Sequence, residues 1–241
     1  MSGVRPVFYV ADSHLTEDDP ELDAFVAFLK AAGAEAGTVY ILGDLFNVWF
    51  AEPKFRRPHQ QRVLDAVRDL SAKGVKVKFV EGNRDYSVRR NHLGDPFDDV
   101  AEDHLIEEHA GRRIYAAHGD AVNRKDRQYR LWKRFSRSFA VYGLFRLLPG
   151  SWGVRLGERL ERKLSGTNMR HKSRFPGEEC AAWAGSLFGR ICDTIVLGHF
   201  HEERRIDMPG GTIFVLPTWR GHRRYLAFGA DGQGRFVDFT G

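Results

Sequence analysis

Short apolar runs alternate with stretches of helical spacing over most of the chain. Apolar runs of four to six residues are typical of buried strands, and they occupy residues 7–11, 39–42, 75–80, 114–117, 194–197, 213–216 and 225–228. Residues 22–32 and 61–73, which lie between the early runs, have helical spacing instead. Gly33 and Gly74 follow these two stretches directly, in the position of a helix C-cap. The alternation predicts a layered α/β fold with helices on both faces.

The middle of the chain has a different pattern, because helical spacing continues there without any strand-like run. Helices are predicted over residues 129–139, 142–148 and 154–164, with breaks at Pro149–Gly150 and near Gly166. We therefore expect a helical cap, residues 124–175, inserted into a core that is formed by residues 1–123 and 176–241.

Aromatic and aliphatic side chains recur every three or four residues in this predicted cap and form one stripe. Its members are Leu131, Phe135, Phe139, Tyr142 and Phe145. Such a stripe usually belongs to a core. The small helical segment, however, offers few other apolar elements that would cover it, so a surface or groove for lipid chains is a second interpretation.

Positive charge is concentrated in the same part of the chain. The net charge is +5, yet residues 124–174 hold 15 Lys or Arg against three acidic residues, which leaves 22 basic and 29 acidic residues elsewhere. A basic block of this kind predicts a partner that carries phosphate: nucleic acid, an anionic lipid surface or a phosphorylated small substrate. The alternative is a solvated helical face without a binding role.

Bulk composition limits the class of protein. Apolar residues make up 42% and charged residues 29% of the chain, which is ordinary for a water-soluble fold. The first residues lack the apolar segment of a signal peptide, and no run reaches the length of a membrane-spanning helix. We expect a cytoplasmic protein, in which Cys180 and Cys192 are small buried residues rather than a disulfide.

Carboxylate, amide and imidazole side chains follow five of the predicted strands. They are Asp12 and His14, Asp44, Asn83, His118, and His199 with His201. Each alone has an ordinary explanation as a turn or cap residue. Together, however, they lie at the carboxyl ends of strands, where α/β sheets place their sites. The sequence therefore predicts a site for two divalent metal ions, an arrangement suited to phosphoester hydrolysis.

The motifs Asp-x-His, Gly-Asp, Gly-Asn-Arg-Asp, His-Gly-Asp and Gly-His-x-His resemble those of the calcineurin-like metallophosphoesterases. The resemblance implies a β-sandwich flanked by helices. It also implies a ligand set: one ion held by Asp12, His14, Asp44 and His201, and another held by Asp44, Asn83, His118 and His199. In that scheme Asp44 bridges the ions, and Asp44, His118 and Arg84 are the expected catalytic residues. Mixed oxygen and nitrogen ligands suit manganese, iron or zinc better than magnesium.

A narrower resemblance rests on Gly82-Asn83-Arg84-Asp85 and on residues 42–49. These segments are similar to those of the UDP-2,3-diacylglucosamine pyrophosphatases of lipid A synthesis. The similarity extends over nearly the full length of the chain. It implies manganese-dependent hydrolysis of the pyrophosphate bond of UDP-2,3-diacylglucosamine to UMP and 2,3-diacylglucosamine 1-phosphate. Arg84, where most of the superfamily has histidine, would be the cation that stabilises the growing negative charge.

The same resemblance assigns substrate-binding positions in the metal site and in the cap. They are Asn83, Arg84 and His199 in the site, and Asp126, Tyr129, Arg162, Ser165, Asn168 and Lys172 in the cap. Arg162 and Lys172 would offer positive charge to a diphosphate. The alternative for the cap residues is that they are solvated charges on a basic helix.

Three departures from the family pattern bear on the substrate rather than on the metal ligands. Phe200 stands where threonine is usual, Ser13 stands where leucine is common, and residues 217–224 are unusually basic. A metal-dependent phosphodiesterase or phosphatase acting on another nucleotide or on nucleic acid is the main alternative. A non-catalytic binding protein would have lost ligands, and none is lost here. The expected partners are a glycolipid nucleotide and an anionic inner-membrane surface, without nucleic acid.

Overall fold

The computed structural model describes residues 4–122, 127–165 and 175–241. The strands are β1 (Val7–Val10), β2 (Thr38–Ile41), β3 (Trp49–Phe50), β4 (Lys76–Val80), β5 (Asp85–Tyr86), β6 (Asp99–Ala101), β7 (His104–His109), β8 (Arg112–Ala117), β9 (Thr194–Leu197), β10 (Arg204–Met208), β11 (Gly211–Val215), β12 (Arg224–Phe228) and β13 (Gly234–Asp238). The helices are α1 (Pro20–Glu35), α2 (Pro58–Ala72), α3 (Val88–His92), α4 (Arg127–Ser136), α5 (Phe139–Leu147), α6 (Gly150–Ser165) and α7 (Gly177–Gly185), with a 3₁₀ turn at Pro53–Phe55.

Two sheets carry the fold. The larger has the order β13-β12-β1-β2-β4-β6, in which β1, β2, β4 and β6 run parallel. The second has the order β10-β11-β9-β8-β7, with a parallel centre of β11, β9 and β8 and antiparallel edges. Every predicted strand lies in one of these sheets.

The sheets pack face to face, and helices cover their outer faces. Tyr9 of the larger sheet meets Phe228 edge to face, and Phe228 in turn meets Phe214 of the second sheet. Helices α1 and α2 pack on the outer face of the larger sheet, where Phe8 is buried, and α7 packs near Ile195 on the other. The predicted fold class, a β-sandwich flanked by helices, is confirmed. Strand–helix alternation alone did not indicate that two sheets lie between the helices, because a strand buried on both faces has the same apolar run whether a helix or a sheet covers it.

The two glycines that were expected to end helices behave differently. Gly74 has a left-handed φ of +81° just after Lys73, the C-cap of α2, and so ends this helix as predicted. Gly33 lies inside α1, which continues to Glu35, so that expectation was wrong. A Cβ at Gly33 would lie 2.9 Å from Cδ of Lys73, and glycine therefore makes room for this side chain at the α1–α2 contact.

Helices α4, α5 and α6 follow one another between β8 and α7, close to the predicted positions. The apolar stripe is largely exposed: Leu131 is 69%, Phe135 61% and Phe139 78% accessible, whereas Tyr142 and Phe145 are half-buried. Core was the preferred interpretation for most of the stripe, and it was wrong for the first three residues. Across the described ranges, none of the helices is both long and apolar enough to traverse a bilayer.

Candidate metal centre

The five ligand motifs converge because parallel strands of both sheets end at the same side of the sandwich. Asp12, Asp44 and Asn83 follow β1, β2 and β4 of the larger sheet, while His118 and His199 follow β8 and β9 of the second. The two sheets therefore supply ligands from opposite sides of one site. The geometry brings together all seven side chains that were expected to hold metal.

Backbone conformation in these loops is unusual. The left-handed region, which non-glycine residues seldom adopt, is occupied by Asp12 (φ 54°), His14 (45°), Asp44 (51°), His199 (72°) and His201 (56°). Strained conformations of this kind persist only where the surroundings determine them strongly, and they cluster at functional sites.

Main-chain hydrogen bonds between loops hold this conformation in place. The Asp12 N–H donates to the Gly43 carbonyl at 3.1 Å, and the His14 N–H donates to the Asp44 carbonyl at 2.9 Å. A Cβ at Gly82 would lie 2.3 Å from Oδ1 of Asp44. Glycine at position 82 is therefore required for the close approach of the two ligand loops.

The first group of donors consists of Asp12, His14 and His201. Nε2 of His14 lies 3.2 Å from Nε2 of His201, and the latter lies 3.3 Å from Oδ1 of Asp12. Within the described residues, Oδ1 of Asp12 and Nδ1 of His14 are buried without a hydrogen-bond partner. Buried polar atoms normally have a partner, so converging donors with unpartnered atoms fit a cation.

The second group consists of Asn83, His118 and Asp44. Nε2 of His118 lies 3.1 Å from Oδ1 of Asn83 and 3.7 Å from Oδ1 of Asp44. The Nδ1–H of His118 donates to the Leu42 carbonyl at 2.8 Å, which directs the Nε2 lone pair into the site. The ring of His199 packs at 5.1 Å from the ring of His118.

Two carboxylates connect the groups. Oδ2 of Asp44 lies 4.0 Å from Nδ1 of His14, so this side chain faces both groups, as expected of a bridging ligand. Asp12 also lies near both: its carboxylate and the donors of Asp44 and His118 fall within 4.8 Å of one another. Oδ2 of Asp12 accepts the His199 N–H at 2.7 Å, which ties the loop after β9 to the loop after β1.

Burial and charge adjust the protonation of these donors. Burial lowers the pKa of His14 far below its ordinary value and that of His199 to about 4, which keeps both rings neutral. Burial would also lower the pKa of His118, but the charges of Asp44 and Asp12 outweigh it and raise that pKa. Burial opposes ionisation of Asp12, yet the imidazole of His201, whose Nε2 lies 3.3 Å from Oδ1, and the other nearby imidazoles hold the pKa of Asp12 below the usual range.

The donor set fits divalent transition metal ions. Carboxylate and amide oxygens are combined with imidazole nitrogens, a mixture that Mg²⁺ and Ca²⁺ sites seldom use. The neutral imidazoles of His14 and His199 and an ionised Asp12 are the protonation states that metal binding requires.

Arg84 lies against the second group. Its Nε is 3.5 Å from Oδ2 of Asp44, its main-chain N–H donates to Oδ1 of Asp44 at 2.9 Å, and its guanidinium donates to Oδ1 of Asn47 at 2.8 Å. The side chain is half-buried, so the guanidinium is held in a defined place beside the metal ligands.

Sequence reasoning assigned no role to Asp85 or Asn47. The buried Asp85 carboxylate accepts the N–H groups of Asp44 (2.7 Å) and Gly82 (2.8 Å), and thereby fastens the two loops together. Burial, followed by the charge of Asp44, raises the pKa of Asp85 to about 8. An acidic residue two positions after Asn83 was the available signal. Nothing in the sequence indicated that Asn47 would orient Arg84.

The expected cap ligands are only partly described. Arg162 is exposed on α6. Tyr129 and Ser165 lie in α4 and α6, where the backbone alone is described, and Asp126, Asn168 and Lys172 lie outside the described residues. Their roles stay predictions.

Comparisons with known proteins agree with the sequence resemblance. No family model matches the chain. A UDP-2,3-diacylglucosamine hydrolase of Ralstonia nicotianae is 30% identical over 225 residues, covering 89% of this chain and 84% of that protein. A UDP-2,3-diacylglucosamine hydrolase of Neisseria gonorrhoeae is 30% identical over 234 residues, 96% of each chain. A solved archaeal phosphodiesterase, 12% identical, has the same fold with a TM-score of 0.51 over 96% of this chain and 98% of its own.

Proposed function

Because the chain belongs to the UDP-2,3-diacylglucosamine hydrolase family, we propose that it hydrolyses the pyrophosphate bond of UDP-2,3-diacylglucosamine. The products would be UMP and 2,3-diacylglucosamine 1-phosphate. The observation that supports the proposal is the convergence of the seven side chains proposed as metal ligands, two of which have buried atoms without a hydrogen-bond partner among the described residues.

We propose that the first group and Asp44 hold one ion, and that the second group and His199 hold the other. Bound there, two divalent ions supply Lewis acidity and a water of lowered pKa for attack on phosphorus. Mn²⁺ is the proposed metal, supported by the mixed oxygen and nitrogen donors. Asp44 would be the shared ligand, because its two oxygens face His14 and His118.

Arg84 would bind the diphosphate and stabilise the negative charge that grows on its oxygens during P–O cleavage. Its guanidinium is already oriented by Asn47 and by Asp44 and needs no large rearrangement to act. Asn83 and His199 border the same space and would contact the substrate as well as the metal.

The proposed cap, residues 124–175, would bind the rest of the substrate. Exposed Leu131 and Phe135 on α4, and Leu147 on α5, offer apolar surface for acyl chains, and the exposed Arg162 on α6 offers charge for the head group. Asp126, Tyr129, Ser165, Asn168 and Lys172 complete the proposed set of cap ligands on the strength of the family resemblance alone.

We also propose that the enzyme works in the cytoplasm and attaches peripherally to the inner membrane, where a diacylated substrate resides. The basic residues that surround the exposed apolar side chains of α4–α6 support this, because cationic segments are attracted to anionic lipid.

A substrate comparison tests the proposal. Mn²⁺-loaded protein is incubated with UDP-2,3-diacylglucosamine, with its de-acylated analogue and with a short single-stranded oligonucleotide, and released phosphate monoesters are identified by mass spectrometry. We expect UMP and the acylated sugar phosphate from the first, far slower release from the second and no cleavage of the third. Preference for the analogue or for the oligonucleotide would contradict the proposed substrate and favour a general phosphodiesterase.

A further inference from the structure

Two cations, Lys133 on α4 and Arg137 immediately after its last residue, contact loops of the candidate metal centre. Nζ of Lys133 lies 2.9 Å from Oδ2 of Asp120 and 3.2 Å from its Oδ1. One helical turn later, Arg137 donates to the Gly82 carbonyl at 2.7 Å and to the Glu102 carbonyl at 3.0 Å. Its Nε also lies 3.7 Å from Oε2 of Glu81.

These contacts end beside ligands of the second group. Gly82 directly precedes Asn83, so a hydrogen bond to its carbonyl orients the Gly82–Asn83 peptide. Asp120 stands two residues after His118 in the next ligand loop. Arg137 follows Ser136, the last residue of α4, and its N–H still donates to the Lys133 carbonyl at 3.2 Å, so the two side chains lie one helical turn apart on the same side. The C-terminal end of α4 therefore contacts both loops.

The contacts are well shielded from water. Side-chain exposure is 13% for Lys133 and 4% for Asp120, and it is 10% for Arg137 and 2% for Glu81. A buried charge that loses its partner is strongly destabilised, so these pairs favour one arrangement of helix and loops. The Glu81 carboxylate is oriented further by the Arg89 N–H at 2.9 Å.

The first group is held differently, by residues of the loop between β11 and β12. The Thr218 hydroxyl donates to the Asp12 carbonyl at 2.7 Å, and the Arg220 guanidinium donates to the His14 carbonyl at 2.9 Å. The loops of the first group are thus supported from within the sandwich. The loops of the second group are supported by Asp85 of the sandwich and, in addition, by Lys133 and Arg137.

We propose that Lys133 and Arg137 are positioning residues that set the affinity of the second ion by fixing the loops of Asn83 and His118. The inference rests on the proposed function in one respect, because it takes the second donor group to be an ion site. It makes α4 a structural part of the metal centre in addition to a cover for substrate.

Metal titration of the full-length protein tests this inference. The variants are Arg137→Met, Arg137→Lys and Lys133→Met, and Arg134→Met, an exposed cation on the same helix, is the matched control. Mn²⁺ is titrated into metal-free protein, and free Mn²⁺ is followed by electron paramagnetic resonance. We expect two ions in the wild type and in the control.

In Arg137→Met the second ion should bind about 10–100-fold more weakly while the first keeps its affinity, a range typical of lost supporting contacts. Arg137→Lys should show a smaller loss, because an ammonium retains the positive charge but lacks the extended planar fork of donors that reaches the Gly82 and Glu102 carbonyls together. Lys133→Met carries the test independently if Arg137→Met fails to fold.

Steady-state kinetics distinguish a role of Arg137 in positioning the metal ligands from a role in substrate binding. At limiting Mn²⁺ the kcat of Arg137→Met should be low, and it should rise toward that of the wild type as Mn²⁺ is raised, with KM unchanged. A raised KM with both metal affinities intact, or equal weakening of both ions, would overturn the inference. A wild type that binds fewer than two ions would instead refute the proposed dinuclear function, so the two failures are distinguishable.

Discussion

The metal centre and the helices α4–α6 use opposite means to prepare for a ligand. In the centre, donors such as Asp12 and His14 are almost fully buried and are held in left-handed backbone conformations by main-chain hydrogen bonds. On the helices, Leu131, Leu147 and Trp152 are more than half exposed. Metal chemistry requires donors fixed to a fraction of an ångström, whereas a surface for flexible acyl chains requires accessible apolar area. The difference teaches that one chain presents a buried, conformationally fixed set of donors and, on α4–α6, an exposed apolar surface.

The largest loss of activity is expected when the carboxylate that faces both donor groups, Asp44, is removed. Asp44→Ala removes a buried carboxylate that faces both donor groups and accepts the Arg84 N–H. Activity should fall by at least about 10³-fold, or about 4 kcal/mol in the barrier, with loss of the second metal equivalent. Metal content by mass spectrometry and turnover under saturating substrate check this. Normal turnover would refute the bridging role.

A smaller loss of activity is expected when the Arg84 cation is removed and the proposed metal ligands remain. Arg84→Met should lower kcat by about 10²–10³-fold, the range for the loss of one preorganised donor to a developing negative charge. The protein should still bind two Mn²⁺ ions, as measured by the same metal analysis. Loss of metal together with activity would make Arg84 a structural residue.

A buried histidine outside the metal centre predicts that the folded protein loses stability in acid. His92 is buried and stacks on Trp49, and burial lowers its pKa to about 4. The His92 imidazole becomes protonated near pH 6.5 in the unfolded chain but only near pH 4 in the folded protein. The free energy of unfolding therefore falls as the pH is lowered from 6.5 to 4. The loss is about 3 kcal/mol.

Urea denaturation between pH 4 and 7 measures this effect. His92→Phe should show a weaker dependence of the free energy of unfolding on pH than the wild type does, whatever its absolute stability. The exposed His222→Gln serves as the control. Identical pH dependence in wild type and His92→Phe would show that this imidazole does not contribute.

The smallest effect is expected from changes to the exposed apolar residues of α4. Replacing Leu131 and Phe135 by serine should raise KM for the diacylated substrate about tenfold, or about 1.4 kcal/mol, and leave the de-acylated analogue unaffected. Because both side chains are exposed, unfolding free energy should change by less than about 0.5 kcal/mol per site. Ile106→Ser, an exposed apolar residue on β7, is the control. Equal KM changes for both substrates would argue against an acyl-chain surface.

Much of the site was predictable because its information is local. Asp12, Asp44, Asn83, His118 and His199 each lie within three residues after an apolar run, and a parallel strand carries whatever follows it to one edge of the sheet. Residues at such positions were expected to converge, and they lie together. Helix positions in the middle of the chain were also predicted closely, because spacing of apolar residues is a property of the segment itself.

Contacts between distant segments were not predictable in this way. Lys133 and Arg137 looked like two more charges of a basic helix, and only packing of α4 against the loops of Gly82 and Asp120 gives them partners. Gly33 looked like a helix end, yet the Lys73 side chain from α2 occupies the space beside it. The burial of a side chain depends on what the rest of the chain places over it, and periodicity carries no information on that neighbour.

The amino-acid sequence by itself determined the kind of chemistry: which side chains stand at strand ends, which donors they offer, and that positive charge is concentrated in one helical segment. Tertiary structure alone decided that two sheets rather than one supply the donors, that the apolar stripe begins on an exposed face, and that α4 supports the second group of ligands. The physical reason is that strand and helix formation depend on neighbours along the chain. Burial, ion pairing and the protonation of buried groups depend on neighbours in space.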